Sequence, residues 1–218
     1  MSNTKYDKAF LTGCDSTTEW MMSWFLTNLK KNTQQPIIFA DFGVNDIEAI
    51  KPHVHAIIDM TKTEEKGWFK KPKAMMHCPS HKTVWLDSDI EVLGDIDTIF
   101  DLLVPNKLNM VKDKPWSTRF QTEMFNSGVV GLVDKPYILS LWIKEIKDNP
   151  SRGDQETLHA MLDPLQNLTY INGLPNKYNF LRLQFENDGQ KIPKDCIAVH
   201  WTGQKGKDRI KESLKEHG

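Results

Sequence analysis

The feature that most constrains this chain is an alternation: short apolar runs trade places with helix-period segments through its first two thirds. Residues 9–12 read as a strand, followed by the turn Gly13-Cys14-Asp15. Ser16-Thr17-Thr18-Glu19 has capping-box spacing and opens a helix whose apolar face carries Met21, Phe25 and Leu29. Lys30 and Lys31 suit the negative end of that helix. Residues 36–40, 54–58 and 83–86 read as further strands, the last ending at Asp87. Helices are expected over about 73–77, stopped by Pro79, and over 96–103, closed by Pro105. Beyond them, 128–133 looks like a buried strand, 136–147 and 154–162 like helices, and 197–200 like a last short strand. Strand and helix in turn at this spacing imply an α/β fold, a mainly parallel central sheet with helices on both faces. One domain across 1–218 is expected, with its body at about 8–205 and a solvated helical tail at 207–218.

The 218 residues suffice for one sizeable core but not comfortably for two. A net charge of −1 gives no global attraction to nucleic acid or an anionic membrane, so an anionic ligand must be held by local geometry. Three scattered cysteines are no disulfide framework. Residues 1–8 are polar, and no apolar run approaches the ~20 residues of a membrane span. A soluble, cytoplasmic protein is the expectation. Most of the seven tryptophans are expected in the core.

Parallel α/β sheets bind ligands beyond the carboxyl ends of their strands. Neither Gly-x-Gly-x-x-Gly nor Gly-x-x-x-x-Gly-Lys-Ser/Thr occurs in the sequence, which argues against a dinucleotide-dependent dehydrogenase and a P-loop enzyme. The sequence offers Trp85-Leu86-Asp87-Ser88-Asp89 instead, two carboxylates just past an apolar strand. In extended backbone, residues two apart point the same way, so Asp87 and Asp89 face one site with small Ser88 between them. Two oxygen-donor carboxylates suit Mg²⁺ or Mn²⁺, ions that bind mainly when substrate phosphates complete their shell. His77-Cys78-Pro79-Ser80-His81 fits no zinc spacing, and Pro79 breaks the helix that would align the histidines.

With its flanks the motif resembles a known family. Gly67-Trp68-Phe69-Lys70-Lys71-Pro72-Lys73-Ala74, a helix, then Lys82-Thr83-Val84-Trp85-Leu86-Asp87-Ser88-Asp89 is similar to the donor-site region of GT-A glycosyltransferases. It resembles in particular the glycogenin and lipopolysaccharide galactosyltransferase group (family 8) and related α-mannosyltransferases. Phe125-Asn126-Ser127-Gly128-Val129, Asp154-Gln155 and His200-Trp201-Thr202-Gly203-Gln204-Lys205-Gly206-Lys207 follow in the family's order, the last resembling its closing His-x-x-Gly-x-x-Lys. The resemblance implies a GT-A (Rossmann-like) domain acting as a metal-dependent glycosyltransferase, with a nucleotide-diphosphate sugar, a UDP-sugar favoured, as donor. It implies retention of anomeric configuration and a hydroxyl acceptor, carbohydrate in character. It makes Asp87, Asp89 and His200 the metal ligands, and the imidazole tilts the choice towards Mn²⁺ over Mg²⁺. It puts Thr12, Gly13 and Asp15 at base and ribose, and Lys71 at donor phosphate or sugar with Lys70 its rival. Asp87, Ser88 and Asn126 join the donor site, and Asp154 and Gln155 lie at the reacting carbon. Gly206 stands where the family has its lysine, so the diphosphate's cation becomes Lys205 or Lys207, with Lys205 carried among the candidates.

Two other functions fit the broad pattern. A sugar-nucleotide pyrophosphorylase would carry a glycine-rich, cationic loop after its first strand, and Thr12-Gly13-Cys14-Asp15-Ser16 is not one. A minimal GT-A domain that binds or slowly hydrolyses nucleotide sugars, with no acceptor site of its own, is the stronger alternative.

Overall fold

A computed structural model describes residues 4–217. Residues 1–3 and 218, the ends of the expected domain and tail, lie outside the described residues. The strands are β1 (Tyr6–Cys14), β2 (Ile37–Asp41), β3 (Ala56–Asp59), β4 (Ser80–Leu86), β5 (Ile90–Val92), β6 (Leu108–Lys112), β7 (Phe125–Val133), β8 (Ile171–Leu174), β9 (Phe180–Leu181) and β10 (Ala198–His200). The helices are α1 (Met22–Lys31), α2 (Ile47–Ile50), α3 (Lys71–His77), α4 (Lys114–Phe120), α5 (Tyr137–Asp148), α6 (Asp154–Met161), α7 (Pro164–Tyr170), α8 (Arg182–Glu186) and α9 (Gly203–His217).

Seven strands form the main sheet in the order β3-β2-β1-β4-β7-β6-β8. All its neighbours are parallel except at β7, which runs antiparallel to both β4 and β6. Alternate residues serve opposite faces. Phe10, Phe39, Val84 and Val129 pack under α1 and the 3-10 turn Ile96–Leu102, through Phe25, Leu29, Ile99 and Phe100. Leu11, Ile38, Trp85 and Val130 pack against α3, α5 and α6, through Met75, Leu139, Trp142 and Leu158. Helices thus cover both faces, as the alternation predicts. A small second sheet, β5-β10-β9, stands beyond the carboxyl end of β4.

The expected capping box before α1 does not form. The chain enters α1 through a 3-10 turn, Glu19–Met21, and Thr18 makes no side-chain cap. Asp15 instead accepts the Thr17 backbone N–H at 3.0 Å, which satisfies the local donor first. The tryptophan expectation is also corrected: among the seven, only Trp85 and Trp142 are buried, and Trp68 is 58% exposed. The two buried rings satisfy their indole N–H groups at Asp87 and at the Asp154 carbonyl. The three cysteines are buried and free. Among the described residues, no helix is long and apolar enough to cross a membrane.

Candidate active site

The chemistry gathers where β4 ends. Asp87-Ser88-Asp89 is not the extended segment its spacing predicts, because Ile90 N–H bonds back to the Asp87 carbonyl at 3.2 Å and closes a turn. The turn is pinned on both sides: Asp87 N–H donates to the Gly128 carbonyl of β7 and Trp201 N–H to the Asp89 carbonyl, each at 2.9 Å. His200 comes from β10, which pairs antiparallel with β5 so that His200 faces Ile90. That register sets the imidazole beside the turn. Its room is made by Gly128, where a Cβ would stand 2.2 Å from His200 Cε1.

His200 Nε2 lies 3.0 Å from Asp89 Oδ1 and 3.9 Å from Asp87 Oδ2. One ligand atom from each of the three residues falls within 4.8 Å of the others. Burial works against a charged imidazole, yet the Asp89 carboxylate and then Asp87 outweigh it and raise the His200 pKa above its usual 6.5. For Asp89, burial opposes ionisation and His200 overcomes it, so the carboxyl is held below its ordinary value. The group is a tight cluster of two acids and one imidazole in a largely dry corner.

Lys71 opens α3 and is buried. Its Nζ lies 3.0 Å from Asp87 Oδ1 and 2.9 Å from Asp154 Oδ2, and donates to the Ser127 carbonyl at 3.0 Å. Burial alone would favour the neutral amine, but Asp154 and Asp87 together raise the pKa above the ordinary lysine range. Lys71 thus braces two acids while lining the first of the two cavities described below. Lys70 is buried as well, donating to the Phe42 and Met60 carbonyls. Both lysines of the Lys70-Lys71 pair are therefore inside the protein.

Asp154 is the first residue of α6, with Gly153 as the cap position, so its carboxylate holds Lys71 and does not cap the helix. Gln155 Oε1 accepts Ser127 N–H and its Nε2 donates to Asp113 Oδ2, both at 3.1 Å. Asn126 Nδ2 donates to the same Asp113 oxygen at 3.1 Å. Asp113, fully buried, also caps α4 through Trp116 N–H at 3.1 Å. Reading the sequence missed Asp113 as a site residue, although Asp before Lys114-Pro115 is a helix-start signal.

Two cavities meet at this cluster, one of about 210 Å³ and one of about 250 Å³, and both are lined by Trp68 and Asp87. Gly13, Asp15, Phe42, Ser88, Asp89 and Lys207 line the first. Asn126, Asp154, Gln155, His200, Trp116 and Arg152 line the second. Thr12 is buried and lines neither, although its neighbours Gly13 and Cys14 line the first. Of the two lysines offered for a diphosphate, Lys207 lines the first cavity, whereas Lys205 is exposed and lines neither. Gly206 cannot be the lysine: a Cβ there would stand 1.9 Å from the Trp201 carbonyl oxygen.

No protein-family model and no curated protein matches the sequence. Solved structures do. The glycosyltransferase GlyE of Streptococcus pneumoniae TIGR4 superposes with a TM-score of 0.69 at 19% identity, over 92% of this chain and 55% of that one. The chain thus spans little more than half of GlyE. The galactosyltransferase LgtC, solved with donor and acceptor sugar analogs, gives 0.63 at 13% identity over 95% of each chain. A glycosyltransferase involved in glycosylating the major capsid of PBCV-1 gives 0.63 at 15% identity, over 95% of this chain and 99% of that one. The chain has the fold of these enzymes, the GT-A fold.

Proposed function

We propose that this chain is a metal-dependent glycosyltransferase that takes a sugar from a nucleotide-diphosphate donor, a UDP-sugar by preference, and gives it to a carbohydrate hydroxyl with retention. The observation that carries the reading is the convergence of Asp87, Asp89 and His200 at the tip of β4, beside Lys207 and opposite Asp154 and Gln155. Two hard oxygen donors and one imidazole fit Mn²⁺, or Mg²⁺ with more water in its shell. Bound there, such a cation supplies Lewis-acid neutralisation of the charge that grows on a departing diphosphate.

The remaining work falls to the protein's own side chains. Lys207 brings a second positive charge to the diphosphate side of the cavity. Gly13 and Asp15, at the carboxyl end of β1, receive base and ribose. Asn126, Asp154 and Gln155 hold the sugar. A neutral amide is a feeble nucleophile, so Gln155 positions the anomeric carbon. The bond from that carbon to the phosphate oxygen breaks, a bond to the acceptor oxygen forms, and the acceptor's proton passes to the departing phosphate. The departing and entering oxygens share one face of the anomeric carbon, which gives retention. The second cavity, between Trp116 and Arg152, supplies room for an acceptor and favours transfer over mere hydrolysis.

Asp89→Ala tests the reading. Loss of one charge-stabilising group at a transition state costs ~10²–10³ in rate. Donor turnover in Mn²⁺ should fall by at least roughly that factor, and near wild-type turnover would refute the role.

A further inference from the structure

The imidazole of His200 is gripped at its far nitrogen as firmly as at its near one. Nδ1 lies 3.2 Å from Asn126 Oδ1 and 3.1 Å from Asn179 Oδ1. Which amide ends meet it decides which imidazole nitrogen is bare, and the surrounding bonds settle that. Three donors converge on the Asp113 carboxylate: Trp116 N–H, Gln155 Nε2 and Asn126 Nδ2. The end of Asn126 facing Asp113 is therefore its NH₂. The other end takes the Gly128 backbone N–H at 2.9 Å, which only donates, and so is the oxygen. The Asn179 atom 2.9 Å from that oxygen must then be nitrogen, which turns Asn179 Oδ1 onto His200. Nδ1 meets two oxygens and has to carry a proton. With Nδ1 protonated in either state, the nitrogen that can give up its proton to a cation is Nε2, the one facing Asp87 and Asp89.

We infer that Asp113, Asn126 and Asn179 form a buried relay that holds His200 in the Nδ1–H tautomer, with Asp113 and Asn179 as positioning residues for the cation-binding Nε2. Asp113 and Asn179 are fully buried and line neither cavity, so they reach the site through the side chains they hold. Asp113 also holds Gln155, so one carboxylate fixes the orientation of a group on the metal side and a group on the sugar side. The inference rests on the metal-ligand reading of His200, and groups that orient a ligating imidazole typically matter 10–100-fold in metal affinity.

The test is titration of the intact protein with Mn²⁺ alone, followed by the electron paramagnetic resonance of the free ion. Pulsed measurements on the bound ion report coupling to a coordinated imidazole nitrogen. Asn179→Leu keeps the side chain's size and removes both hydrogen bonds, and Asp113→Asn puts an amide donor where only acceptors serve. Each should weaken Mn²⁺ binding roughly 10–100-fold and diminish the imidazole coupling. Asn179→Asp keeps an oxygen towards Nδ1 and should retain the coupling. Wild-type affinity and coupling in both Asn179→Leu and Asp113→Asn would overturn the relay. Absence of Mn²⁺ uptake by the wild-type protein would instead overturn the metal reading on which it stands.

Discussion

Two buried cations share the acids of this cleft, and they differ in what could replace them. Lys71 sits between Asp87 and Asp154 with only 3% of its side chain exposed. Lys71→Met would leave both acids facing each other uncompensated. Removing one partner of a buried ion pair costs about 3–5 kcal/mol, and Asp87 is partly exposed, so the lower end applies. At roughly 2–4 °C per kcal/mol for a domain this size, the melting temperature should drop by roughly 6–12 °C; an unchanged melt would show that Lys71 is not the brace. His200 is the replaceable cation. Its pKa is raised in the folded protein, so its pairing with Asp89 stabilises fully below the unfolded value of 6.5 and is lost as pH rises through the folded value. Asp89 is shifted down, so its share is present above the ordinary carboxylate range and lost on acidification through the folded value. Without metal, the melting temperature should therefore decline as pH climbs above neutral, and His200→Gln should remove that slope. Mn²⁺ affinity should move oppositely, rising over the same interval, because the ion takes the neutral imidazole. A metal affinity that does not change with pH would contradict this pairing. The three proposed ligands and Gln155 were legible as residues because each sits in a short motif. Asp113 and Asn179 were not. Their partners lie 13 to 53 positions away, and no local pattern encodes such distances.

At the scale of elements, the site depends on two glycines that let strands and helices approach. Gly128 admits the imidazole over β7, and Gly206 lets the start of α9 lie against the Trp201 backbone, which brings Lys207 into the cavity. Gly206→Ala would push α9 outward at about 1–3 kcal/mol of strain and withdraw Lys207. Lys207→Ala should reproduce the binding loss, roughly tenfold or more for a nucleotide diphosphate, with little change in melting temperature. Unaltered nucleotide affinity in both variants would remove Lys207 from the site. The first four strands of the sheet were readable because parallel, doubly covered strands are continuous apolar runs. β6 and β8 hid because Asn109, Asn172 and Gly173 interrupt their runs. Buried Asn109 is satisfied by bonds to both backbone groups of Val104, the Gly131 carbonyl and Asn172 Nδ2. The direction of β7 was equally hidden, since strand pairing is set by distant segments. α7 was missed as well, although its capping box at Asp163 and Gln166 is a local signal.

At the scale of the whole molecule, the sheet's carboxyl edge, the small second sheet and the first turn of α9 surround one acidic point, with a cavity on either side of it. A donor spanning both cavities would lay its diphosphate over that point. Ligand binding to the folded state alone should raise stability by ~2.7 kcal/mol at a hundredfold excess over the dissociation constant. In a thermal-shift screen of nucleotide diphosphates with Mn²⁺, uridine diphosphate should therefore produce the largest upward shift, and an equal response to every base would contradict the donor assignment. The most direct measurement is calorimetric titration of uridine diphosphate into the protein, once with Mn²⁺ and once with excess chelator. Binding that is strong with the ion and largely abolished by the chelator is the predicted result; equal binding in both would contradict the account at its centre.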